Sequence, residues 1–216
     1  MILYIRVMSN LAHQELREAV RVRYYLATLG LGLGPALYTV GEMVHHQIPS
    51  LPALGAVLAC TGLYLWIPGI LGKMHLLRWT DDRLGLIGGA IAFLGLVAVT
   101  NIMLLQLVLV LIEQKAKNYP EVIAGVFHNV LFVTYIFGPA FPFGLLLLGV
   151  GLHRLKVFPP PVTYTYIFGV STFPAGRFAG CPPVIHLSDL ILTVGSMGIA
   201  WHLWKHPELW SRPRVG

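Results

Sequence analysis

The 216-residue chain is 56% hydrophobic and 11% charged, against roughly 25% charged in an ordinary soluble domain, and its mean hydropathy is +0.72. Water is therefore not its main solvent. The net charge of +6 would point to nucleic acid on a soluble protein, but the cations lie between apolar runs instead of forming a stripe, which reads as membrane orientation and excludes a nucleic-acid partner.

In chain order, Met1 to Met8 is too short for the charged start, apolar core and cleavage site of a signal peptide, so the N-terminus is expected to stay in the mature chain. Ser9 to Glu18 reads as the start of a polar helix capped by Asn10, making residues 1–23 a cytoplasmic or interfacial segment. About 20 apolar residues cross about 30 Å of hydrocarbon. Runs free of Lys and Arg cover about 24–44, 51–72, 86–112, 122–152, 162–176 and 185–204, which predicts an all-α, polytopic bundle of about six transmembrane helices. Residues 1–216 then form a single membrane domain with no separate soluble part. The fourth run should bend at Gly138-Pro139-Ala140-Phe141-Pro142, where two prolines remove backbone donors, and the fifth is short, with Pro174 near its end.

Lys and Arg are retained on the cytoplasmic side of short loops. The segments on the N-terminal side carry Arg6, Arg17, Arg21 and Arg23, then Lys73, Arg78 and Arg83, then Arg154 and Lys156, and finally Lys205, Arg212 and Arg214. The other side carries Lys115, Lys117 and Arg177. This bias predicts both termini in the cytoplasm, in a plasma membrane of prokaryotic type. Cys60, inside a run, and Cys181, in a loop, are not expected to pair, since about nine residues of helix separate their depths by roughly 13 Å.

Small residues four apart let helices approach closely in lipid, so Gly30 with Gly34 and Gly85 with Gly89 are expected to serve packing. Thr134-Tyr135-Ile136-Phe137-Gly138 recurs as Thr165-Tyr166-Ile167-Phe168-Gly169, and each copy is followed by Phe-Pro-x-Gly, at Phe141 to Gly144 and Phe173 to Gly176. Inverted repeats of broken helices do build transporter sites. The abundance of Phe, Gly and Pro in this chain makes coincidence or packing symmetry the simpler reading.

Charges at mid-membrane are costly and usually functional. No Lys or Arg falls inside the runs as drawn, which excludes a retinal Schiff base of the rhodopsin type and voltage-sensor arginines. The acids inside them are Glu42 and Asp189, both near the outer surface and both with histidine at helical spacing: His45 and His46 beside Glu42, His186 beside Asp189. His128, about six residues into the fourth run, should lie at similar depth. Imidazole is the commonest transition-metal ligand, with carboxylate as partner. A zinc or copper ion on Glu42, His45, His46, His128, His186 and Asp189, or a heme b on His128, His186 and His46, is therefore compatible with the pattern. The bland alternative is that His45 and His46 sit in the headgroup region and begin a turn before Pro49. Asn101 and Gln106 are expected to hydrogen-bond between helices.

His75, His153, His202 and His206 form a second layer at the inner boundary. The segment Trp201 to Pro207 resembles an interfacial anchor more than a chelate. His186 and His202 are sixteen residues apart, about 160° around a helix, so they do not serve two hemes in one cavity. There is no GxxxxGK[ST], GxGxxG with a suitable acid, HExxH or GxSxG, so no nucleotide-enzyme or hydrolase class is supported. Three readings follow. The leading one is a non-enzymatic accessory or binding subunit of a membrane complex, whose partners are the lipid bilayer and other membrane subunits or further copies of itself. The others are a heme- or metal-binding protein using the outer histidines, and a small-solute transporter built on the Pro- and Gly-broken helix pair.

Overall fold

Proline lacks the amide that a first helical turn leaves unpaired in any case, and it opens three helices, at Pro52, Pro160 and Pro182. The computed structural model describes residues 2–48, 50–78, 83–113 and 137–210. These form α1 (Ile2–Gln47), α2 (Pro52–Leu77), α3 (Arg83–Glu113), α4 (Ala140–Arg154), α5 (Pro160–Ala179) and α6 (Pro182–Lys205), closed by a single 3-10 turn at Pro207–Trp210. The all-α expectation is met among the described residues.

Several boundaries differ from the expected ones. No helix starts at Asn10, because α1 runs unbroken for 46 residues through the polar segment and the first apolar run. Residues 11–23 contain neither Gly nor Pro and are rich in Ala, Leu, Glu, Gln and Arg, so nothing local stops the helix. His45 and His46 accordingly lie in its last turn, not in a loop. The fifth apolar run becomes a 20-residue helix, ended by Gly180 at φ 60, where a left-handed backbone favours glycine. The break expected in the fourth run is present. A turn at Gly138 and Pro139 precedes α4, with the Phe141 amide donating to the Gly138 carbonyl at 3.1 Å. Residues 122–136 of that run lie outside the described residues.

Each helix packs against its neighbours in sequence, and α1 also packs against α6, so the six close into a ring. Close approach depends on glycine. A Cβ on Gly34 would sit 2.9 Å from the Trp66 amide nitrogen, and one on Gly41 would sit 2.7 Å from the Gly55 carbonyl oxygen, so α1 and α2 meet backbone to backbone. Gly30 and Gly34 thus serve packing, as their spacing indicates. Gly85 and Gly89 act differently, making room for the side chains of Leu77 and Met74. In the interior an aromatic column of Tyr38, Trp66, Phe141 and Phe173 continues into Leu145, Leu148 and Leu152.

The exterior is apolar as well: Leu33, Leu54, Leu94, Phe168, Leu190 and Val194 are all about half exposed. Soluble monomers rarely present such a surface. α2, α6 and the Arg83–Leu105 part of α3 are long and apolar enough to cross a membrane, and α4 is a shorter apolar helix. An integral membrane location is consistent with both observations. Cys60 and Cys181 are free.

Candidate functional site

The hairpin joining α5 to α6 is tight, just Gly180 and Cys181, so the last turn of α5 faces the first turns of α6. Arg177 uses this to reach inward. Its Nη1 donates to Asp189 Oδ1 at 2.9 Å, and its Nη2 donates to Asp189 Oδ2 at 3.3 Å and to the Tyr38 hydroxyl at 2.7 Å. The guanidinium carbon sits 3.6 Å from the centre of the Phe173 ring. Asp189 is 1% exposed, so the paired fork answers the cost of burying its charge. Thr39 and Thr193 share a 2.9 Å hydrogen bond that ties α1 to α6 beside it. Reading Arg177 as an outer loop cation is thus corrected: it belongs to α5 and is held by an acid of the interior.

Glu42, one turn after Tyr38 on α1, is 6% exposed, and His46 Nε2 lies 3.6 Å from its carboxylate. His46 and His186 face each other with ring centroids 6.2 Å apart, and His45 is 5.2 Å from His46. His45 Nδ1 donates to the Pro52 carbonyl at 3.1 Å, within the α1–α2 turn. His186 is buried, and neither ring nitrogen has a hydrogen-bond partner among the described residues. Of the sequence-derived set, Glu42, His45, His46, His186 and Asp189 therefore share one end of the ring, while His128 lies outside the described residues. Asp189 is engaged by Arg177. No group of three or more His, Cys, Asp or Glu is disposed to hold a metal ion among the described residues. Asn101 is exposed on α3 and makes no interhelical hydrogen bond to another described residue, and the Gln106 side chain lies outside the described residues.

Gly95 packs on Phe141, so α4 begins part-way along α3. Beyond its start opens a cavity of about 620 Å³. Its walls are apolar, from Val99 and Met103 of α3, Pro142 and Leu146 of α4, and Phe173 and Pro174 of α5, and its polar groups among the described residues are Tyr38, Glu42, Ser171 and Arg177. Both Phe-Pro-x-Gly copies meet here, with Phe141 and Phe173 packed edge to face at 6.1 Å. Residues 134–136 of the first upstream copy lie outside the described residues.

A second polar contact lies deeper toward the other end, and it corrects the expectation that no Lys or Arg enters a span. Lys73 is fully buried on α2, and its ammonium donates to the Tyr166 hydroxyl of α5 at 2.7 Å. No carboxylate among the described residues lies within ion-pair distance of it. Breaking this contact from either side should give different results. Tyr166→Phe strands a buried donor and is expected to lower stability by about 1–3 kcal/mol. Adding Lys73→Met in that background should restore it, because both polar partners are then gone; thermal unfolding in detergent reads the difference.

The expected inner histidines do gather at that end. His153 bonds Thr163 at 3.0 Å, Phe158 packs on His202, and His206 pairs with Glu208 at 2.9 Å. Trp201 and Trp204 project outward, with Lys205 over the Trp201 ring at 4.7 Å, as an interfacial anchor would. Comparison with protein-family models, with curated proteins and with solved structures finds no match to this chain.

Proposed function

We propose that the chain is a multi-pass membrane protein that acts by binding, and that the cavity beyond the start of α4 takes an amphipathic small molecule with a neutral or cationic head group. The observation carrying this is one apolar chamber of about 620 Å³ with polar groups on Tyr38, Glu42, Ser171 and Arg177. Its size and lining fall in the range of small-molecule sites, about 300–1,000 Å³ with few polar groups. The charge of the head follows from the local balance. Arg177 is paired directly with Asp189, and the ion-pair contact of Glu42 among the described residues is to His46, so an anionic head is disfavoured.

In this reading the chain crosses the bilayer six times with both termini in the cytoplasm, as a binding or accessory subunit in a plasma membrane of prokaryotic type. Support comes from Arg21 and Arg23 in the middle of α1 and from the helix ends carrying Arg78, Arg83, Arg154 and Lys205, which gather at one end of the ring, the end where Tyr24 bonds the Leu203 carbonyl at 2.8 Å.

Titration of the detergent-purified chain with an alkyl trimethylammonium and with an alkyl carboxylate of equal length tests the reading. The ammonium compound should bind, Glu42→Gln should weaken it about tenfold through loss of a charge-assisted contact, and Leu146→Trp should abolish it by filling the chamber. Equal binding of the carboxylate would refute the charge assignment, and binding unaffected by Leu146→Trp would refute the cavity.

A second reading is favoured by His186, which faces His46 and whose buried ring nitrogens have no hydrogen-bond partner among the described residues. Here the two imidazoles ligate a heme, or a transition metal whose further ligands come from outside the described residues, His128 among them. A visible spectrum and metal analysis of purified protein decide this: a Soret band or stoichiometric metal that His186→Ala removes would support it, and colourless, metal-free protein would eliminate it.

A further inference from the structure

The opposite end of the ring holds a different kind of site. Between α1 and α2 lies a groove of about 370 Å³ whose polar residues, among the described ones, are Arg23, His75 and Arg78, with no carboxylate of the described residues lining it. Both arginines are exposed, and neither has an ion-pair partner among the described residues. Two guanidinium groups around one groove repel each other unless an anion lies between them. Below them the groove is apolar, lined by Leu26 and Leu71, which are 51% and 52% exposed on the outer surface of the bundle.

The chain has built one wall of this groove from a distance. The turn Pro207–Trp210 carries Trp210 back over α2, where it stacks on His75 with ring centroids 5.2 Å apart and planes 13° from parallel. Tyr24 packs edge-on against the same indole at 5.6 Å. Gly72 makes room for it, since a Cβ there would stand 3.0 Å from the Trp210 ring. The groove is therefore a fixed shape with cations at its mouth and an apolar track leading along the exterior.

We infer that this groove binds an anionic phospholipid, with the phosphate between Arg23 and Arg78 and an acyl chain along Leu26 and Leu71. The chemistry is that of basic pockets between helices at the inner face of a membrane, where each cation near the surface favours an anionic headgroup and guanidinium groups match phosphate oxygens in a fork. The site is separate from the cavity beyond α4 and from the histidines of the other end, so its test is independent of theirs.

Native mass spectrometry of the full chain, with phosphatidylglycerol and phosphatidylcholine of identical chains, reads the preference directly. The wild-type chain should retain phosphatidylglycerol by about tenfold or more over phosphatidylcholine, and Arg23→Gln with Arg78→Gln should bring the two to parity. Both substitutions are at exposed positions and leave the interior intact. Leu71→Arg, which blocks the apolar track without removing a cation, should lower retention of the lipid. Preference unchanged in the double arginine variant overturns the proposal. Displacement of the lipid by millimolar inorganic phosphate also overturns it, by showing a site for the free anion.

Discussion

Replacing Asp189 with alanine is expected to leave the Arg177 guanidinium without its acid and to lower stability by about 2–3 kcal/mol, below the usual cost for a fully buried pair because the Arg177 side chain is 28% exposed. The geometry leaves little room for rescue. Both guanidinium nitrogens that face inward are committed to Asp189, one of them also to Tyr38, and the aromatic face of Phe173 lies against the same group. The carboxylate side chain is wholly excluded from solvent. Arg177→Met combined with Asp189→Leu should recover most of the loss, since well-packed apolar replacements of a buried pair are often neutral or stabilising. Thermal unfolding of the wild type, the two single variants and the double variant in one detergent completes the cycle. A double variant as unstable as the worse single one would mean that the pair does more than neutralise itself. A loss well below 1 kcal/mol for Asp189→Ala would place water, not protein, around the guanidinium.

The second large effect is expected at the α1–α2 seam. A Cβ on Gly62 would fall 2.6 Å from the Gly34 carbonyl oxygen and 2.9 Å from the Tyr38 Cα, atoms that cannot rotate aside. Gly62→Leu should therefore force the helices apart, at a cost of about 3 kcal/mol or more, the upper end of the range for overpacking. Because it displaces Tyr38, it should also weaken the hold on Arg177 and with it any ligand of the adjoining cavity. Gly32→Ala supplies the control. It lies on α1, two residues before the seam glycine Gly34, but its Cβ would meet the Ala200 Cβ at 3.6 Å, an ordinary contact. There alanine should be neutral or should stabilise by up to about 1 kcal/mol through its better helix propensity. Equal losses at both positions would mean that glycine at the seam acts through something other than space.

Some of this was legible from residue order alone. Apolar runs bounded by cations become helices because lipid and packed interiors alike demand satisfied backbone groups, and Pro139, Pro160 and Pro182 punctuate them where proline must. The break before α4 was readable for the same reason. The common depth of Glu42, His46, His186 and Asp189 also followed, since apolar runs that alternate in direction place these positions near the same ends. Continuity of α1 past Asn10 was readable in principle, from the absence of Gly and Pro, but cap signals compete poorly with strong helix formers on both sides.

Other features depended on contacts between distant parts of the chain. Charge counting placed Arg177 outside and Lys73 at a boundary, because a sequence shows where a side chain starts and not where it ends. Both are long enough to turn inward when an acid or a phenol waits there. Asp189 carried the one available signal, a lone acid within an apolar run that requires a buried cation, and Arg177 stands twelve residues before it across a two-residue turn. Lys73 had a fainter one, lying in phase with the buried Trp66, Ile70 and Leu77 of α2. The closure of α1 against α6, the basic groove walled by Trp210 and the chamber beyond α4 belong wholly to the tertiary structure. Local patterns of polarity decide which stretches become helices and which ends share a depth. The choice of neighbours around a ring is made by the shapes of helix faces, and those exist only once the helices meet.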